Sequence, residues 1–202
     1  MRKTDDATLQ QSGASMITAA QIAPLRAASI DYEETEQLKA KLAQVRRERQ
    51  PLYLTATEFE EILQWKLGQQ IGRQRDIRAA NTEDIIRAVT GLALTITHAD
   101  KEYELELRMN IFCSLRGVGV SVASAVLALV FPGEYAIIDF RGWRQIFGEE
   151  QSIFSIPDYK KYVREIRRLA DELGWPVQEV DHAIWEYDRR NSNRDTNDNQ
   201  SP

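Results

Sequence analysis

Cysteine is almost missing from this 202-residue chain, with Cys113 its only one. A lone cysteine excludes an intramolecular disulfide and an iron–sulfur cluster held by four thiolates. Beside Ile111, Phe112 and Leu115 it reads as a small buried residue. Histidine is as scarce: His98 and His182 lie far apart, neither at a metal-ligand spacing, so no metal and no cofactor is expected. Long apolar runs are missing too. The longest, Val120 to Phe131, is about a dozen residues, too short to cross a bilayer. The N-terminus is polar and has no signal-peptide core, which predicts a cytoplasmic chain without a membrane partner. Strand alternation is nowhere convincing; Tyr135 to Ile138 is too short to decide. Nor is there a basic excess, since 26 Lys and Arg face 31 Asp and Glu for a net charge of −5.

What the chain does have is a globular composition, 43% apolar and 28% charged, in a length that suits one domain with tails. The charge is unevenly spread. Residues 169–202 hold eight acids and three bases, whereas 116–168 hold eight bases and six acids, and 65–90 hold five bases and three acids. The hairpin region and the Lys66–Arg87 stretch are therefore basic against an acidic remainder, which permits a nucleic-acid-facing surface.

Helical signals recur from Asp31 onward. Leu38, Leu42 and Val45 give a narrow stripe in a charged helix that Pro51 ends. Thr57 and Glu60 fit a capping box for a helix carrying Phe59, Ile62, Leu63 and Trp65. Asn81-Thr82 and Asp100 precede two more helices. Pro157 and Pro176 suit the first turns of later ones, through Tyr162, Ile166 and Leu169 and through Val180, Ile184 and Trp185, with Trp185 and Tyr187 in the core. About seven helices without a repeat predict an all-α multi-helix globule over residues 30–190. A flexible arm (1–29) and a disordered tail (191–202) are expected to flank it.

The most informative stretch runs from Leu115 to Gly148. Gly117 and Gly119 flank Val118, and the apolar run follows at once. Glycines so spaced allow a tight turn and leave amide N–H groups uncovered at a helix start, where an anion such as phosphate is favoured. Further on, Asp139 follows Ile137-Ile138 directly. A carboxylate there needs a role: a cap for a helix starting at Phe140, an ion pair, or a site.

These residues resemble the helix-hairpin-helix DNA glycosylase superfamily over about 34 residues. Its hairpin reads roughly Leu-Pro-Gly-Val-Gly, two variable positions, then Thr-Ala; here Leu115-Arg116-Gly117-Val118-Gly119-Val120-Ser121-Val122-Ala123 stands in its place. The family's catalytic aspartate matches Asp139, eighteen residues after Ser121, in a helix-leading context that continues Phe140-Arg141-Gly142-Trp143-Arg144. Members that also cleave the strand carry a lysine where this chain has Ser121, so lyase activity is not expected. Arg116 replaces the hairpin proline and Val122 the threonine. Phe140, Arg141 and Gly142 replace the residues often found after the aspartate. With one cysteine, the chain resembles the branch without an iron–sulfur cluster.

The resemblance implies a monomeric protein bound to double-stranded DNA, acting in base excision repair as a hydrolase of N-glycosyl bonds. Asp139 would be catalytic. Arg116, Gly117, Val118, Gly119, Val120, Ser121, Arg141 and Arg144 would contact DNA. Trp65, Lys66 and Trp143 are candidates for a base pocket. The alternative is a helix-hairpin-helix DNA-binding module without catalysis, in which Asp139 only caps.

Overall fold

Polar side chains at the right places start most of the helices. Thr82 accepts from Ile85 N–H, Asp100 from the N–H groups of Glu102 and Tyr103, Asp139 from Gly142 N–H and Ser155 from Asp158 N–H, each satisfying amides that the first turn leaves open. The structure is a computed structural model that describes residues 16–27 and 32–192, and among these the regular elements are all helices, without a strand. Its helices are α1 (Ala19–Ile22), α2 (Glu33–Glu48), α3 (Ala56–Leu67), α4 (Arg75–Arg78), α5 (Glu83–Thr95), α6 (Lys101–Cys113), α7 (Val120–Val130), α8 (Phe140–Phe147), α9 (Ile156–Leu173) and α10 (Val177–Asn191). Short 3₁₀ segments, Ala23–Leu25 and Gly68–Gln74, follow α1 and α3. The chain is thus all-α, with ten α-helices among the described residues where about seven were expected.

The apolar run forms the centre. Residues Val122 to Val130 are all buried, so α7 is apolar all round and takes its neighbours on every side. It packs against α2, α3, α6 and α9. None of the described helices is long and apolar enough to cross a membrane.

Two expectations change. The capping box of α3 is Thr55–Glu58, two residues before the Thr57–Glu60 pair read from the sequence. Glu58 is fixed there because Arg49 grips its carboxylate at 2.6 and 3.0 Å. Residues 16–27, inside the expected arm, are folded: Ile17, Ile22 and Leu25 enter the core, and Met16 N–H donates to Ile146 O at 3.1 Å. Burying three apolar side chains offsets the entropy of ordering so short a segment. The rest of the expected arm and the tail from 193 on lie outside the described residues; Asn191, at the tail's expected start, closes α10.

Candidate active site around Asp139

Between α7 and α8 the chain runs through Tyr135 to Ile138 without regular secondary structure, so its backbone groups must find side chains. Tyr159 Oη donates to Ala136 O at 2.9 Å. Ile137 N–H donates to Asp181 Oδ2 at 2.8 Å, and Ile138 N–H to Ser124 Oγ at 3.1 Å. Ser121 Oγ donates to Ile138 O at 2.8 Å. Helices α7, α9 and α10 together hold this segment.

Asp139 is delivered at its end. The residue is the N-cap of α8, Oδ1 accepting from Gly142 N–H at 2.9 Å. The same side chain lines a cavity of about 500 Å³. Cap and cavity wall are therefore one position. Lys66 and Trp65 of α3 line that cavity as well, alongside Tyr32, Asp181, His182 and Trp185. Trp65 Nε1 donates to Thr35 Oγ1 at 3.0 Å, which fixes its ring at the wall. Tyr32, His182 and Trp185 form an aromatic group, with ring centroids 4.5 Å apart for Tyr32–His182 and 5.7 Å for His182–Trp185. A cavity of this size with several ring faces and a few charged groups suits a planar heterocycle.

Asp181 is a strongly perturbed carboxyl of this wall. Burial pushes its carboxyl up to about 7 and the Asp139 charge adds to that, while Tyr162 Oη, Ile137 N–H and Lys66 act in the other direction. Tyr162 Oη donates to Asp181 Oδ1 at 2.5 Å. Tyr162 in turn lies against Gly142, where an added Cβ would overlap its hydroxyl.

The hairpin itself is the turn from Ser114 to Gly119 between α6 and α7. Gly117 has φ +71°, and a Cβ there would sit 2.7 Å from Arg78 Cγ, so the position needs glycine on both counts. Asn81 clamps the turn, accepting from Arg116 N–H at 3.0 Å and donating to Arg116 O at 2.9 Å. Val118 is buried, and its N–H donates to Leu115 O at 3.2 Å. The amides of Val120 and Ser121 start α7, where no carbonyl of the helix lies four residues back. Gly119, the N-cap, has open space where a Cβ would be. The basic 65–90 stretch lies beside this turn through Arg78 and Asn81.

Three further residues singled out in the sequence sit elsewhere. Trp143 is 2% exposed, packed against Phe147 and Phe154 in the core rather than in the cavity. Arg141 and Arg144 turn inward to Asp188, which is fully buried: Arg141 Nη1 lies 3.1 Å from Oδ2, and Arg144 Nη2 lies 2.7 Å from both oxygens. Burial alone raises Asp188, but the surrounding donors outweigh it and hold its carboxyl below its ordinary range. Asp181, His182, Gln178, Tyr32 and Trp185 were not singled out for the site; Trp185, read as core, lies on the cavity wall instead. The one sequence signal was an acid, Asp181, set between Val180 and Ala183 on a helix face shared with Val177 and Ile184. Among the described residues, no group of three or more His, Cys, Asp or Glu side chains is placed to hold a metal ion. Comparison with protein-family models, with curated proteins and with solved structures finds no match for the chain.

Proposed function

We propose that the protein is a monofunctional DNA N-glycosylase of base excision repair, with a helix-hairpin-helix mount on duplex DNA and Asp139 as its catalytic carboxylate. One observation carries this reading: Asp139, held by Gly142 N–H, faces a cavity with Trp65, Trp185 and Tyr32 on its walls. A base turned out of the duplex stacks on such rings. As the N-glycosidic bond breaks, the bonding electrons leave with the base and positive charge grows on the sugar. The Asp139 carboxylate stabilises that charge and orients a water, whose oxygen bonds to the sugar carbon; one of its protons passes to the departing base and the other stays on the new sugar hydroxyl. The amides of Val120 and Ser121, with exposed Arg116 beside them, face a DNA phosphate. Ser121 Oγ donates to the carbonyl just before Asp139, so the hairpin end and the carboxylate are one unit. Ser121 offers no amine for a Schiff base, and the strand is left uncut.

The test is single-turnover release of bases from duplexes carrying a panel of modified bases. Asp139→Asn retains a capping oxygen, so stability and DNA affinity hold while excision falls by about 10²-fold or more. An Asn variant as fast as the parent makes Asp139 a cap alone. A parent that releases no base from the panel but binds duplex favours the second reading, a non-catalytic DNA-binding module, for which the satisfied cap at Gly142 already speaks.

A further inference from the structure

We propose that Asp181 is the positioning residue for Asp139, and that its ionisation sets how the Asp139 carboxylate is held and how strongly the cavity favours positive charge. Asp181 reaches one end of the Asp139 mount directly and the other through Tyr162. Through Oδ2 it holds Ile137 N–H, two residues before Asp139. Through Oδ1 it holds the Tyr162 hydroxyl, which packs against Gly142, the residue whose N–H donates to Asp139 Oδ1. Asp181 also lines the cavity itself.

A proton on Asp181 changes both contacts. Ionised, it accepts from Ile137 and Tyr162 alike. Protonated, its O–H competes with the Tyr162 O–H for the same short contact, and one hydroxyl must turn. The groups facing Asp181 are Tyr159 and Tyr162 from α9, Asp139 from the start of α8, Lys66 from α3 and His182 and Gln178 from its own helix, with Glu33 and Glu34 of α2 on the same cavity. The carboxyl that burial pushes up to about 7 is the one that changes charge near neutral pH.

Asp181→Asn separates positioning from packing. Its carbonyl accepts from Ile137 N–H and its NH₂ donates to Tyr162 Oη, so the variant copies the protonated state and keeps the volume. The experiment follows the amide NMR shifts of Ile137 and Gly142 between pH 5.5 and 8.5 in the free protein. In the parent both amides step with one midpoint near 7. In Asp181→Asn both are flat. A histidine ordinarily titrates in this range, and His182 stands on the same wall. Tyr162→Phe tells them apart, because loss of a donor to Asp181 moves an Asp181 midpoint to higher pH and leaves a His182 midpoint in place. Tyr162→Phe also keeps the proposal testable if Asp181→Asn fails to fold. A Gly142 amide that stays flat in the parent, or steps unchanged in both variants, overturns the proposal.

A second arm rests on the glycosylase reading. Excision rises roughly tenfold with pH through the same midpoint, the size of one pKa unit of coupling, and Asp181→Asn stays flat at the lower plateau. If the parent releases no base, the glycosylase reading fails and the amide arm still decides the role of Asp181.

Discussion

Arginines 141 and 144 look like DNA ligands in the sequence, and the structure makes them structural; Asp188→Ala measures the difference. Asp188 is fully buried and accepts from Arg141 Nη1 at 3.1 Å, Arg144 Nε at 3.0 Å, Arg144 Nη2 at 2.7 Å and Gln145 Nε2 at 2.7 Å. Removing it strips the buried carboxylate from two guanidinium groups whose side chains are only 16% and 18% exposed. Arg144 keeps Glu150 and Ser192 as partners, so the loss is partial on that side. Breaking one partner out of a buried ion pair costs about 3–5 kcal/mol. For a folded unit of this size that lowers Tm by roughly 6–20 °C. Urea unfolding of parent and variant reads the change directly. Under the DNA-binding proposal, Asp188→Ala at low temperature, where the variant is still folded, keeps the parent's duplex affinity within about twofold, because both arginines turn inward to Asp188. A cost below about 1 kcal/mol, or a duplex affinity that rises or falls tenfold in the folded variant, refutes the reasoning.

The two hairpin glycines should behave differently. Gly117→Ala loses about 1–2 kcal/mol in a thermal melt, from the left-handed backbone and from the Cβ placed 2.7 Å from Arg78 Cγ. Gly119→Ala meets open space and leaves stability nearly unchanged, yet covers the α7 amides, so under the DNA-binding proposal duplex affinity falls equally for all sequences and its steep salt dependence weakens. Stability itself carries the mark of Asp181. The folded protein holds that proton up to about 7 and the unfolded chain only to 3.8, so the stabilisation is full below about pH 4 and is lost as pH rises through 7, up to about 4 kcal/mol. Asp181→Asn is neutral throughout and removes the slope, which urea unfolding at pH 5, 6, 7 and 8 follows; an unchanged slope rejects the assignment.

What could be read in the chain beforehand was local. The caps Thr82 and Asp100 sit one residue before their helices, and the glycine spacing of the hairpin and the apolar run of α7 depend only on neighbours in sequence. Asp139 was legible for the same reason, as an acid after two isoleucines and before a helix. Trp65 and Lys66 were also named and line the cavity, but the α10 wall was not legible, because it comes from some forty residues further on and no periodicity says which helix face another element will meet. Trp185 reads as core at its helical spacing and stands on the cavity wall; Trp143 has arginines on both sides and is buried. Arg141 and Arg144 show why charge is a poor guide: a guanidinium on an amphipathic helix looks the same whether phosphate or Asp188 waits for it. The folded 16–27 segment escaped notice because Ile17, Ile22 and Leu25 are too few and too unevenly spaced to form a period.

Helix α10 is the element that ties these placements together. Asp181 and Asp188 are seven residues apart, two turns, and so lie on one face of it with Ile184 on the same side. The first grips the 135–138 segment through Ile137; the second grips α8 through Arg141 and Arg144. Asp139 is the junction of that segment and that helix. Its carboxylate is therefore set by a rigid helix spanning the joint from beneath, in addition to its own cap bond. A site whose geometry must hold to within about half an ångström needs such support from outside its own loop. The same arrangement makes the pH behaviour local: a proton on Asp181 acts at one end of the clamp while the Asp188 end, fully buried among its donors, stays ionised and fixed. The joint then has one titrating anchor and one permanent one, and a change at the Asp181 end reaches Asp139 through Ile137 and Tyr162.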